Sequence, residues 1–393
     1  MKKRDAPQHV QIPVFNHPAK NIHLIRILEE IPDPRGASPN FSYSLPTILF
    51  TCLVTTLCGA DDWEEMAALG EGLENWIGKF VDTSYGIPSA FTLERVVSLI
   101  EPMALEKMLR DIANLICKQL TNDIIAIDGK SLRGSSDSAK EKRAVHLLHA
   151  WSCENRVCLA QMKVDDKSNE ITSICSLMDQ LLLKGNIITT DALNTQKATA
   201  EKVIEKGGHY ILPVKENQKN LLESIQMLFK EGENNEFKGM DADHFESLEK
   251  GRGRIEERKC IALDASELIE VQDWKGLQTA AKMMRRRTEK GKTTEEVVYY
   301  ISDLGLDATR IAKAIREHWG VENHLHYALD VVLDEDKHAY YDRNGTRNLS
   351  VIRKIVLAAL EKAPTGKKRS KKTKRLMASA DEKFRTECLK FLF

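Results

Sequence analysis

Ile124-Ile125-Ala126-Ile127-Asp128-Gly129 and Asn186-Ile187-Ile188-Thr189-Thr190-Asp191 decide how this sequence folds. Each is a short β-branched, apolar run of strand length that ends in a lone aspartate. Between them lie two further strand-like runs, His146–Ser152 and Val157–Val164, whose connection at 153–156 suits a hairpin, and a helical stretch, Ile171–Leu183. After the second aspartate come a helix over Gln196–Lys206 and another strand, Tyr210–Val214. Strands separated by helices of this length predict a mixed α/β sheet. In open α/β sheets ligands collect outside the carboxyl ends of the strands. If the two strands are neighbours, Asp128 and Asp191 converge there. An aspartate after a strand is also a common turn or helix-cap residue, so that alternative stays open.

Working outward, residues 20–120 read as helical. They include the stripe Ile22–Leu24–Ile25–Leu28, a buried helix over Pro46–Cys58 and one or two amphipathic helices over Leu93–Leu120, with prolines at the joints. Residues 219–303 read as an insertion: a polar helix, then β-type segments around Arg254–Ala262, Thr279–Thr288 and Val297–Ser302. A long helix follows from Ala308 to about Leu333. Its apolar stripe runs Ile311, Ile315, Trp319 with His318, then Leu325, Leu329 and Val332, and Glu322 falls on it. An ionised carboxylate on an inner face is costly unless it is paired or bound to a cation. Gly320, in the same turn, lets the helix approach a neighbour closely. The plain alternative is a buried salt bridge from Glu322 to Lys130 or Arg133.

Composition excludes several classes. With 42% hydrophobic and 30% charged residues over 393, the chain is neither disordered nor collagenous. Eight cysteines without a C-x-x-C pair give no disulfide framework and no strong zinc motif, and read as thiols of a reducing cytoplasm. The longest apolar run, Leu45–Ala60, falls short of the roughly 20 residues a membrane span needs. Net charge is zero, yet Lys337–Phe393 holds 16 basic against five acidic residues, which leaves the rest at −11. Lys367–Arg375 (KKRSKKTKR) is basic at seven of nine positions. Such a block reads as a solvated tail, and also as a counterion-releasing grip on phosphates through Lys367, Lys368, Arg369, Lys371 and Lys372. Arg285-Arg286-Arg287 forms a second basic cluster, on a strand.

Three converging carboxylates without thiols suit a hard, oxygen-preferring ion such as Mg²⁺ or Mn²⁺. Two such ions about 3.5–4 Å apart can serve both the attacking and the leaving oxygen of a phosphodiester displacement. His318, Glu322 and His326 share a helical face at a spacing zinc also uses, but no other motif supports zinc. His146 and His149 read as strand residues rather than ligands.

Several blocks in order are IAIDGKSLRGS (126–136), KSNEI (167–171), ITTDALNTQKATAEKVIEKGGHYILPVKENQ (188–218), GRIEER (253–258) and HWGVENHLHYALDVVLDED (318–336), with DPR near Asp33. Together they resemble the DDE transposases of bacterial insertion sequences, specifically the ISAs-type group that includes the H-repeat-associated proteins, over roughly residues 22–360. The resemblance implies an α/β fold: an RNase H-like mixed-sheet catalytic core over 121–362, a helical N-terminal domain over 1–120, a β-rich insertion over 219–303 and a basic tail over 363–393. It implies that Asp128, Asp191 and Glu322 form a metal-binding catalytic triad for Mg²⁺, with Mn²⁺ as substitute and two ions bound. The implied reaction is DNA cleavage at the element's ends by water, followed by strand transfer in which the freed 3′-hydroxyl attacks target DNA. Lys130, Arg133, Lys215 and Asn217 lie in the matching motifs as contacts to phosphates or the transferred strand, while Arg252 precedes GRIEER and Arg254 lies within it. Double-stranded DNA is the implied partner, a homodimer or larger synaptic assembly the implied state, and the cytoplasm the implied place. The rival readings are an RNase H-like nuclease without strand transfer and a catalytically silent DNA-binding remnant.

Overall fold

The computed structural model describes residues 23–36, 41–117, 121–137, 141, 143–164, 170–251, 253–337 and 339–390. Five helices come first: α1 (His23–Glu29), α2 (Leu45–Cys58), α3 (Trp63–Ile77), α4 (Ala90–Leu99) and α5 (Pro102–Ile116). Ser44 caps α2, its hydroxyl accepting from the Thr47 N–H at 3.2 Å, and Pro46 sits in the first turn, where its missing N–H costs nothing. α2 is buried on all faces, and its Thr51 and Thr55 hydroxyls donate to the carbonyls of Thr47 and Thr51 one turn back. No single described helix is long and apolar enough to cross a membrane; the pair α2–α3 reaches that length only together, bent by 94°.

The core follows as β1 (Ile124–Leu132), β2 (Val145–Ser152), β3 (Val157–Lys163), α6 (Glu170–Asp179), β4 (Ile187–Thr190), α7 (Lys197–Glu205) and β5 (His209–Val214). Next come α8 (Lys219–Asn234), β6 (Ala242–Gly251), β7 (Arg254–Asp264), β8 (Thr279–Glu289) and β9 (Lys292–Ser302). The chain then runs through α9 (Ala308–His318), a π-helical turn over Val321–His326, α10 (Tyr327–Val332), α11 (Arg343–Lys362), α12 (Lys371–Ala380) and α13 (Glu382–Leu389).

Among the described residues the strands form one nine-stranded sheet in the order β3-β2-β1-β4-β5-β9-β8-β7-β6. β1, β4 and β5 are parallel neighbours, and every other pairing is antiparallel. The expected hairpin is β2–β3, and the expected mixed sheet is present. The insertion continues the core sheet: β9 pairs with β5 from Ile211↔Ser302 to Val214↔Tyr299, so β6–β9 prolong it. β6 was not visible in the sequence, because this edge strand is half-wet and nearly half charged.

α9 covers β1 and β4, α6 packs on β2 and β3, and α7 packs on β5. α11 joins the sheet to the helical layer, lying on β2 and β3 and against α2, α4 and α5. Its Asn348, fully buried, donates to the carbonyls of Val97 and Ile100 at the end of α4.

The basic run at the C-terminus departs from the solvated tail expected of it. Ser370 caps α12, accepting from the Thr373 N–H at 3.1 Å. Buried Lys374 donates to the carbonyls of Leu360 and Ala363, at the end of α11. Buried Arg375 donates to the carbonyls of Thr56 and Ala60 and pairs with Asp61 at 2.8 Å, closing the end of α2. Lys367, Lys368, Arg369 and Lys372 remain exposed. A cation at a helix C-terminus satisfies orphaned carbonyls and opposes the helix dipole, which is why Lys374 and Arg375, at the end of this run, turn inward.

Candidate functional site

β1 and β4 are parallel neighbours in the register Ile127↔Thr190, so Asp128 and Asp191 are the next residue on each chain. β4 stops at Thr190, whereas β1 continues to Leu132 with only β2 beside it. Asp128 therefore does not end its strand, as the sequence suggested; it stands where its parallel neighbour ends. Asp191 lines the crevice opened there, and Asp128 lies near enough to feel the charges of Asp191 and Glu322.

Glu322 reaches the same crevice from the π-helical turn. A cavity of about 210 Å³ is lined by Thr189, Asp191, Lys215, His318, Trp319 and Glu322, among others. Glu322 is exposed, not on the inner face predicted for it. The extra residue of the π turn shifts the helix's phase, so Val321 and Leu325 take the core positions and Glu322 turns to the cleft. Trp319 is likewise 41% exposed, with the Arg285 guanidinium 5.2 Å from its ring centre. The alternative salt bridge of Glu322 to Lys130 or Arg133 is not formed. Lys130 is buried against Asp330 (2.8 Å), Asp336 (3.1 Å) and Glu335 (3.4 Å), and Arg133 lies 3.7 Å from Asp336.

The electrostatics are those of crowded acids. Burial pushes the Asp128 carboxyl up to about 7, with the negative charges of Asp191, Glu322 and Glu170 adding to it and the Gly129 N–H pulling the other way. Burial also raises Asp191, against hydrogen bonds from Asn194. Among the described residues no three His, Cys, Asp or Glu side chains stand in ready ligand geometry around one point. The donor set still fits a hard divalent cation, because hard oxygen donors repel one another here and a cation relieves that repulsion.

Two groups stand around these acids that the sequence did not join to them: it placed His326 only in a zinc-like spacing and His149 only on a strand. On the Asp128 side, His326 Nδ1 lies 3.6 Å from Asp128 Oδ2, and its Nε2 pairs with His149 Nδ1 at 3.0 Å. His149 is the cross-strand partner of Asp128. Burial holds His326 down to about 3 and His318 to about 4, so both are neutral at pH 7. His318 pairs with the Thr189 hydroxyl at 2.9 Å, apart from His326, so the zinc-like spacing is not used as a cluster. On the other side stands Glu170, the first residue of α6. Asn194 Nδ2 donates to Glu170 Oε1 at 2.8 Å and to Asp191 Oδ1 at 2.7 Å. Hairpin register was the one signal that could have found His149; Glu170 gave none beyond its place in KSNEI.

The remaining candidates divide. Lys215 is exposed at the cleft, and Asn217 donates to the Ala192 carbonyl at 2.8 Å, bracing the loop after Asp191. Arg254 pairs with Glu256, Arg285 with Glu296, Arg286 with Glu257 and Arg287 with Glu289. Lys371 pairs with Glu361 at 2.7 Å. Arg252 lies outside the described residues.

The DDE_Tnp_1-associated family matches residues 25–113, and the Transposase DDE domain family matches residues 119–359. The chain is 37% identical over 343 residues to a protein of Escherichia coli O157:H7 provisionally named transposase YncI, covering 86% of this chain and 87% of that one. It is 36% identical over 343 residues to YhhI of E. coli K12, provisionally named an H repeat-associated transposase, covering 86% and 90%. An uncharacterised protein from the dhlA 3′ region of Xanthobacter autotrophicus is 40% identical over 272 residues, 68% of this chain and 90% of that one.

Proposed function

The chain belongs to the Transposase DDE domain family, whose core is RNase H-like, and from that premise we propose that it is a DNA transposase acting through Asp128, Asp191 and Glu322. The observation that carries the proposal is the register of β1 and β4, which sets Asp128 and Asp191 at neighbouring positions, with Glu322 facing the cleft that Asp191 lines and its charge reaching Asp128. When bound, two Mg²⁺ or Mn²⁺ ions would supply Lewis-acid stabilisation of the phosphorane's developing charge. Asp128, Asp191 and Glu322 hold those ions. Lys215, exposed at the mouth of the cleft, meets the phosphate backbone. Trp319 and Arg285, at the rim, meet the strand that leaves it.

In the proposed reaction water opens a phosphodiester at the end of an insertion sequence, and the freed 3′-hydroxyl attacks target DNA. Joining two ends calls for at least two copies of the chain on double-stranded DNA.

The test is a cleavage and strand-transfer assay on DNA carrying the element's ends, in Mg²⁺, Mn²⁺ and EDTA, with Glu322→Gln beside the parent. The expected result is metal-dependent cutting and joining that Glu322→Gln abolishes while DNA binding persists. Cutting without joining makes the protein a nuclease. Binding with neither step makes it a silent remnant, and activity in Glu322→Gln removes Glu322 from the site.

A further inference from the structure

We propose that Glu170 is a fourth functional acid of this centre, a positioning residue that holds Asp191 in its working orientation through the side-chain amide of Asn194. The inference rests on the metal-holding role given to Asp191 above.

Asn194 is fully buried, and its amide nitrogen stands between two carboxylates, Glu170 Oε1 at 2.8 Å and Asp191 Oδ1 at 2.7 Å. An amide nitrogen carries two protons, one for each acid. The opposite amide orientation would set a carbonyl oxygen against both carboxylates, so the two acids fix the amide between them. The arrangement leaves Asn194 Oδ1 buried without a partner, which shows how strongly the nitrogen side is favoured. The Asn194 backbone N–H adds a third hydrogen bond, 3.2 Å from Asp191 Oδ1.

Glu170 also lies against the sheet. Its other oxygen, Oε2, lies 3.4 Å from His146 Nε2, and His146 Nδ1 pairs with the Ser131 hydroxyl at 3.0 Å. Side chains alternate along a strand, so Gly129 and Ser131 face the side of the sheet opposite to Asp128. A Cβ at Gly129 would stand 2.6 Å from His146 Nε2 and 3.3 Å from Glu170 Oε1. Glycine at this position is what lets both groups approach β1. Hydrogen bonds thus join Glu170, Asn194 and Asp191, with His146 of the neighbouring strand 3.4 Å from the other Glu170 oxygen, and outer partners of this kind orient metal-holding carboxylates.

A positioning role needs Glu170 as an acceptor, not as a charge. Glutamine keeps the acceptor for Asn194 and offers its own N–H to His146, whereas alanine keeps neither. Mn²⁺ binding to the DNA-free, full-length protein is measured by calorimetric titration for the parent, Glu170→Gln, Glu170→Ala and Asp191→Asn. Metal-free crystal structures of the two Glu170 variants are read for the Asn194–Asp191 hydrogen bond. The expected result is Mn²⁺ binding about 10-fold weaker or more in Glu170→Ala and within about twofold of the parent in Glu170→Gln, with that hydrogen bond broken only in the alanine variant. Equal weakening in both variants would show that the charge acts directly and would overturn the proposal. So would a Glu170→Ala protein with parental binding and an intact Asn194–Asp191 hydrogen bond. A parent that takes up no Mn²⁺, or an Asp191→Asn protein that binds as the parent does, overturns the metal reading instead, and the crystal structures still decide for or against Glu170.

Discussion

Asp128 pays in stability for the site it helps to build. Its carboxyl titrates at about 7 in the folded chain against roughly 3.9 when unfolded. Between those values the folded state holds a proton that the unfolded state has lost, so metal-free stability falls as pH rises from about 4 to about 7 and is level above. The gap corresponds to on the order of 4 kcal/mol at most. In EDTA the melting temperature should therefore fall between pH 5 and pH 8, and Asp128→Asn should melt higher than the parent at pH 8 by calorimetry. Mg²⁺ should restore the parent at pH 8 and do little at pH 5, where the proton must first leave. A parent that is no less stable at pH 8 would mean that the acids do not crowd as the structure has them. A second single-residue effect lies behind the site, at Lys354, which is fully buried and donates to Gln161 Oε1 at 2.7 Å beside buried Glu335. Lys354→Met should cost about 1–3 kcal/mol in urea unfolding, because it leaves the buried Gln161 Oε1 without its donor and takes a nearby cation from Glu335, which keeps Lys130 at 3.4 Å. Adding Glu335→Gln should recover part of that loss. Asp128 and Asp191 could be picked out as candidates because each follows an apolar run, and Glu322 only on a stripe whose phase the π turn changes. Glu170, His149 and His326 could not, because their meaning lies in contacts between segments far apart in the chain.

The helix that carries Glu322 shows the limit of periodicity as evidence. Its extent, Ala308 to Leu333, followed from the stripe, but its phase did not. The buried positions run Ile311, Ile315, Val321, Leu325 and Leu329, and a step of six between Ile315 and Val321 is no whole number of 3.6-residue turns. Continuing the even period put Trp319 inside and Glu322 with it; the π turn puts Trp319 at the rim and Glu322 in the cleft. A widened turn of this kind recurs at functional sites, where it re-aims a side chain at some cost to the helix. Deleting Asn323, an exposed residue of that turn whose side chain donates to the Trp319 carbonyl at 2.8 Å, should close it to α geometry. Glu322 and the Asp330–Lys130 pair can then no longer both keep their places. The expected protein is folded by circular dichroism and inactive in the cleavage assay, and retained cleavage would show that the widened turn is incidental to the site.

At the scale of the whole molecule, the two ends of the chain build one helical layer, and this gives the basic C-terminus two separable roles. The sequence showed its charge and not its docking, since a lysine that closes a helix looks like a lysine in water until its carbonyl partners are known. How the insertion joins the core was not legible for a related reason: strand pairing between β5 and β9 joins residues some 90 apart, which no local pattern records. Removing residues 367–393 takes away α12, α13 and the Arg375 guanidinium that satisfies the Thr56 and Ala60 carbonyls. It also uncovers Cys58, whose thiol donates to the Ala378 carbonyl at 3.4 Å. That truncation should destabilise the protein by at least about 3 kcal/mol, from orphaned carbonyls and exposed apolar surface together. Replacing only the exposed Lys367, Lys368, Arg369 and Lys372 by glutamine should leave the melting temperature within about 1–2 °C of the parent. The same four changes should weaken DNA binding most at low salt and flatten the slope of log affinity against log salt by up to about 0.9 for each phosphate no longer neutralised. Were the truncated chain as stable as the parent, the docked helices would contribute nothing to the fold and the segment would act through its charge alone. Were the four-glutamine protein to bind DNA with an unchanged salt slope, the exposed half of the run would lie outside the DNA path, leaving Lys215 and the cleft to hold the phosphates.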